Sequence, residues 1–387
     1  MEMILLPSNA IQSYAGRLNK KDKVMTLTAL SGEFPYSEFE RLNISSSYGK
    51  LIRNNFYNDG LMKRTYSKNG LKGIRLTNQG KERLKQKFPE RFGHIADKNR
   101  TETSRRYRRQ LFAKTYCSLL NADIEFLPDK KPFIFARRHS QSYEVVYPLL
   151  KISRLSDMPV FYDSMDIKYE LEDFVQQIRN SVMTGLILTD SKCLVLYNID
   201  ENRYPLSYGT ELRVSCMIDN GTFLNIKNTS NAIFLVSNFD IAVDLIFGNK
   251  DKDVSSSTVI LNEVFRHIYI VPENPDGDVQ LRVLCHQELS EMIEDTFIDG
   301  FGYGDNGFKM VNDGFDKYGN PVLNGCHLDI VRLMKFKRGL LNNDISGRIL
   351  CYDFQVDFVQ KIMCPAKVKI NNIKIHDVRE MIENEKS

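Results

Sequence analysis

Lys68-Asn69-Gly70 sits inside LMKRTYSKNGLKGIRLT, between two short runs that alternate in polarity, and an Asn-Gly pair in that setting is the strongest local signal for a β-hairpin. The residues before it read as helices. Val24, Leu27 and Leu30 recur at helical spacing ahead of a Ser31-Gly32 stop. Pro35 opens a short second helix, PYSEFERL, with Phe39 and Leu42 on one side and Asn43 making the turn. Ser45 to Ser47 offer N-caps for a third helix, in which Tyr48, Leu51, Ile52 and Phe56 form the apolar face and Asn58-Asp59-Gly60 the end. Thr77 then caps a fourth helix, TNQGKERLKQKF. Three helices followed by a hairpin is the winged-helix order, so a winged helix-turn-helix domain is expected over residues 1–95.

If the third helix buries its apolar face, the opposite face shows Ser46, Ser47, Lys50, Arg53 and Asn54, which are donors suited to phosphates and base edges in a major groove. The hairpin adds Lys63, Arg64, Lys68 and Lys72, which as a wing would reach flanking backbone or a minor groove. Charge supports the same partner. The chain carries only +4 overall, yet residues 1–115 sum to +14 and residues 116–387 to −10. Basic charge segregated over a whole domain points to a polyanion, here double-stranded DNA. A winged helix used for protein contacts would leave that excess without a role.

Residues 96–120 form a basic connector, DKNRTETSRRYRRQ running into LFAKTYCSLL, which reads as one helix. Arg105, Arg108 and Arg109 share a face suited to a DNA backbone, and Leu111, Phe112, Tyr116 and Leu119 make an apolar stripe. A solvated linker helix is the alternative. From residue 121 to 387 the chain is acidic and switches to short β-rich runs between helical segments. GLILTDSKCLVLYNI reads as a hairpin turning at Asp190-Ser191. PVLNGCHLDIVRLMKFKRGL, GRILCYDFQVDFVQKIM and VKINNIKIHDVREMI each put a strand before an amphipathic helix, which favours parallel strands. The expected fold class is multi-domain α/β, the winged helix preceding a larger α/β domain with a mixed, partly parallel sheet.

Signatures of catalytic chemistry are few. Gly302-Tyr303-Gly304-Asp305-Asn306-Gly307 matches a dinucleotide fingerprint in letters but follows a helical segment instead of a strand, and no P-loop occurs, so no cofactor is expected. The histidines are isolated, which excludes the paired-histidine metal site of common relaxases. Asp163 with Asp166-Ile167-Lys168 is the closest match to the acid and acid-x-Lys set of Mg²⁺-dependent nucleases, with Glu211 and Asp190 as distant partners. Its spacing is too tight, and the stretch reads more simply as a helix capped by Ser164. Asp329 and Asp353 lie near carboxyl ends of predicted strands, the first as a solvated acid and the second as an N-cap. The seven cysteines are scattered without a C-x-x-C pair, consistent with reduced, mostly buried thiols and no metal site. No apolar run approaches bilayer length, and MEMILLP carries an acid where a signal peptide needs positive charge, so a cytoplasmic protein without membrane contact is expected.

Two stretches carry a resemblance. YGKLIRNNFYNDGLMKR with GIRLTNQGKERL, and RNSVMTGLILTDSKCLVLYNI with Glu211 and the later ILCYDFQ, resemble the replication-relaxation family and related proteins of Gram-positive conjugative elements and plasmids. The resemblance implies a winged helix followed by an α/β domain of restriction-endonuclease type. No catalytic residues are carried over, because the acid-rich pattern of an active body is absent. The expected function is that of a sequence-specific DNA-binding protein of a mobile element. It would act in replication, conjugation or transcription regulation without catalysis of its own, with a protein partner or homodimer contact through the acidic domain. The alternative is a Mg²⁺-dependent nuclease targeted by the winged helix.

Overall fold

The computed structural model describes residues 12–66, 70–93, 103–132, 134, 158–170, 181–189, 191–201, 206–221, 231–247, 264–297 and 310–384. Lys68, Asp190 and the Gly302–Gly307 loop lie outside them.

The first helix, α1 (Lys20–Ser31), starts where the Asn19 side chain accepts from Asp22 N–H and stops at Gly32, whose φ of 81° is open to glycine at little cost. The next segment departs from expectation. Phe34–Pro35 is a short strand, β1, and the helix that follows, α2 (Glu38–Arg41), has only four residues. Pro35 lies opposite Gly73 at a sheet edge, where its missing N–H costs no ladder bond. Asn43 takes a φ of 55° in the turn to α3 (Ser46–Asn58), which Ser45 caps. The hairpin follows as β2 (Met62–Tyr66) and β3 (Lys72–Leu76), antiparallel, with β1 on the far side of β3. Thr77 caps α4 (Asn78–Lys87) through Gly80 N–H, and one more turn, α5 (Pro89–Phe92), closes the unit.

The connector is α6 (Thr103–Asn121). It leads into a five-stranded sheet: β4 (Val160–Asp163), β5 (Met183–Leu188), β6 (Cys193–Ile199), β7 (Asn231–Val236) and β8 (His267–Pro272), lying in chain order. The first three strands are antiparallel; β6, β7 and β8 are parallel, joined by crossovers containing α8 (Tyr208–Gly221) and α9 (Phe239–Phe247). A short helix, α7 (Ser164–Glu170), follows β4. The interior strands are buried along their whole length, as expected of a sheet covered on both faces. After β8 come α10 (Pro275–Cys285) and α11 (Gln287–Phe297).

A second sheet, ordered β12-β11-β10-β9, ends the chain. β9 (Gly314–Phe315) is antiparallel to β10 (Pro321–Asn324), while β10, β11 (Gly347–Tyr352) and β12 (Val368–Ile373) run parallel, with α12 (Ile330–Asn343) and α13 (Val356–Met363) as crossovers and α14 (Ile375–Asn384) last. The expected parallel repeats and mixed sheet are therefore present, in a mixed α/β architecture.

The core does not follow the boundaries expected at residues 95 and 120. One continuous apolar cluster joins Val24, Phe34, Phe56 and Ile74 of the amino-terminal unit, Tyr116 and Leu119 of α6, and Phe161, Ile187, Leu196 and Leu235 on one face of the five-stranded sheet. The other face of that sheet shares a second cluster with the carboxyl-terminal sheet, through residues such as Val195, Phe234, Leu323, Phe336 and Ile349. No helix among the described residues is long and apolar enough to cross a membrane.

Candidate nucleic-acid interface

In α3 the burial phase differs from the expected one. Gly49, Ile52 and Phe56 face inward, whereas Tyr48 and Leu51, assigned to the buried face by spacing, are 43% and 52% exposed. The reason is at Gly49. Its missing side chain lets the helix approach Phe39, to which an added Cβ would lie 3.0 Å away, so the contact face turns toward the glycine. Ser46, Ser47 and Lys50 are exposed, and Arg53 and Asn54 are half-buried.

Arg53 leans onto the flank of the helix. Its guanidinium stacks over Tyr36 at 4.3 Å and lies 5.5 Å from the Phe39 ring. Arg64 on β2 repeats the arrangement over Tyr57 at 4.8 Å, and the Tyr36 and Tyr57 hydroxyls are 3.1 Å apart. Stacking fixes each planar fork while leaving its edge donors available. Burial, followed by the neighbouring Tyr57, holds the Tyr36 phenol well above its usual pKa, so it stays a neutral donor. Lys63, Arg64 and Lys72 are exposed on the hairpin, which carries a basic surface beside α3.

The three arginines assigned to one anion-gripping face of α6 do not share an environment. Arg108 is exposed and Arg105 half-buried, but Arg109 is buried and its Nη1 has no hydrogen-bond partner. A DNA-backbone clamp using Arg109 is thus not what the geometry offers. Burial lowers its pKa, and the adjacent Arg75, Arg105 and Arg106 lower it further. Arg106, which spacing did not single out, does the anchoring: its Nη2 and Nε donate to the Glu33 carboxylate at 2.7 and 3.0 Å, and its Nη1 to Tyr66 O at 2.8 Å. Gln110 and Thr65 donate to the same carboxylate. Burial alone would raise the Glu33 pKa, but these donors outweigh it and the group lies below its ordinary value.

The acids considered for a metal have other work. Asp163, not Ser164, caps α7: its Oδ1 accepts from Met165 and Asp166 N–H at 2.7 and 2.8 Å, while Asp166 accepts from Asp163 N–H and from Lys131. Glu211 accepts the Tyr197 hydroxyl at 2.5 Å. Asp329 is buried and caps α12, the role expected of Asp353, and meets His267 Nδ1 at 2.5 Å; Asp353 instead accepts from Ile375 N–H. The paired strands β5 and β6, MTGLIL and CLVLYNI, carry neither carboxylate nor lysine. No group of three or more His, Cys, Asp or Glu side chains able to hold a metal occurs among the described residues. All seven cysteines are free, five of them buried.

Compared with known proteins, the chain matches no family model, no curated protein and no solved structure.

Proposed function

We propose that the amino-terminal unit is a winged helix that binds double-stranded DNA, with α3 in the major groove and the β2–β3 hairpin as the wing. The observation that carries this reading is the juxtaposition of the exposed Ser46, Ser47 and Lys50 on α3 with a hairpin bearing Lys63, Arg64 and Lys72, joined by arginines stacked on tyrosines. The +14 charge of residues 1–115 supports it, since phosphate contacts release counterions and reward such an excess. The acidic body serves as a non-catalytic scaffold of restriction-endonuclease type. Its order, α6, three antiparallel strands with α7 between the first two, then α8 and the parallel β7, fits that kind of body, and the paired strands β5 and β6 carry no acid. The role is organisation or regulation of a mobile element's DNA, with the body as contact for a second copy or another protein.

The test is duplex binding by the full-length protein over about 50 to 200 mM salt. Affinity is expected to fall steeply. Lys63→Ala combined with Arg64→Ala should weaken binding alike on all sequences and lower the salt slope by about two, one per lost phosphate contact. Binding indifferent to salt, or a double variant with unchanged slope, defeats the assignment.

A further inference from the structure

The surface of α3 divides into two ridges of different chemistry. Lys50, Arg53 and Tyr57 follow one another at i, i+3, i+7 on the side of the hairpin, where Arg64 covers Tyr57. Ser47, Leu51, Asn54 and Asn58 follow at i, i+4, i+7, i+11, opposite the buried Gly49, Ile52 and Phe56. This second ridge is uncharged. At its centre stands Leu51, 52% exposed, with Tyr48 beside it at 43%. Leu51 and Tyr48 are therefore the apolar groups that a partner lying along this face would meet.

We propose that this ridge reads A·T base pairs in the major groove, with Asn54 on adenine and Leu51 on the thymine methyl. Adenine presents an N7 acceptor next to an N6 donor, which a side-chain amide matches with one donor and one acceptor. Thymine presents a C5-methyl group, which takes an apolar contact. Guanine offers two adjacent acceptors and calls for arginine or lysine. The arginine and the lysine of this helix both stand on the hairpin-side ridge, off the uncharged one. The inference rests on the DNA-binding reading and names the base pairs that reading would select.

The probes are three synthetic duplexes, alternating A·T, alternating A·U and alternating G·C, competed against one another for the full-length protein at one salt concentration. The A·U probe is DNA with deoxyuridine in place of thymidine, so it differs from A·T only by the thymine methyl. The protein is expected to prefer A·T over A·U by about fourfold for each methyl contacted, and A·T over G·C by about tenfold or more. Leu51→Ala should abolish the A·T against A·U preference while leaving G·C binding unchanged. Asn54→Ala should weaken A·T and A·U together. Because Leu51 is exposed, folding of the variant is checked simply by an unchanged circular dichroism melt. Equal affinity for A·T and A·U, or a preference that survives Leu51→Ala, overturns the proposal while salt-dependent binding still upholds the DNA reading. No binding to any of the three duplexes overturns both.

Discussion

Glu273 follows β8 directly, and its carboxylate is turned against α6. Oε1 accepts from Asn198 Nδ2 at 2.6 Å, while Oε2 is shielded from solvent and has no hydrogen-bond partner. Burial pushes its pKa from 4.5 up to about 7, although the Lys114 ammonium and the Asn198 amide pull the other way. Since the folded value exceeds the unfolded one, Glu273 favours the fold most below about 4.5, and its contribution declines as pH rises to about 7. The difference amounts to about 3 kcal/mol. Glu273→Gln removes the titration, so its melting temperature should exceed that of the wild type at pH 8 and converge with it near pH 4.5. A variant equally displaced at both pH values would contradict this account. Nothing local in the sequence marks Glu273, because the groups that shape it come from β6 and α6. The same holds for Glu33 and Arg106, which are 73 residues apart. Long-range ion pairs leave no periodicity to read, whereas the caps at Ser45 and Thr77 are local and were legible from residue type alone.

At the level of elements, the hairpins and the strand-helix repeats were visible because each is written in a short window of alternation or 3.6-residue spacing. What a window does not hold is the rotation of a helix about its axis. In α3 four apolar residues compete for an inward face wide enough for fewer, and Gly49, which carries no hydrophobic signal, decides the outcome through its approach to Phe39. Pro35 is of the same kind, since its opposite residue, Gly73, lies in the second strand of the hairpin, well outside any local window. Gly80 shows how closely such elements are docked. It sits in the first turn of α4, and a Cβ there would stand 2.1 Å from the carbonyl oxygen of Leu61, which is backbone and has little room to give. Gly80→Ala should therefore lower stability by about 1 to 3 kcal/mol, despite alanine's better helix propensity. Denaturant unfolding measures it, and an unchanged midpoint would mean that α4 shifts freely against the loop before β2. Gly209 in α8, where an added Cβ meets nothing within 4 Å, provides the tolerant control.

For the molecule as a whole, the charge contrast between its two ends suggested separable parts, and packing joins them. Tyr116 of α6 meets Phe161 edge-on at 6.0 Å between centroids and donates to Asp163 at 3.0 Å. Arg41 of α2 and Asn121 of α6 both donate to the buried Asp278 of α10 at 2.7 Å. A fragment ending at Asn121 would therefore leave Tyr116 without Phe126, Phe161 and Asp163 and bare the side of α6 that meets the body. It is expected to aggregate or to melt well below the intact chain, as read by size exclusion and circular dichroism, and a cooperative melt at the intact protein's temperature would show instead that the unit stands alone. Charge sums and connector composition could not reveal this, because surface charge does not report which side of a helix is covered. The consequence reaches past stability to inheritance. A unit whose floor is another unit's roof does not travel as a cassette: grafted onto a foreign body, residues 1–93 would arrive without α6, and residues 1–121 would arrive with its sheet-facing side bare. Substitutions in α6 answer to two neighbours at once, so a change there is felt by the basic head and the acidic body alike.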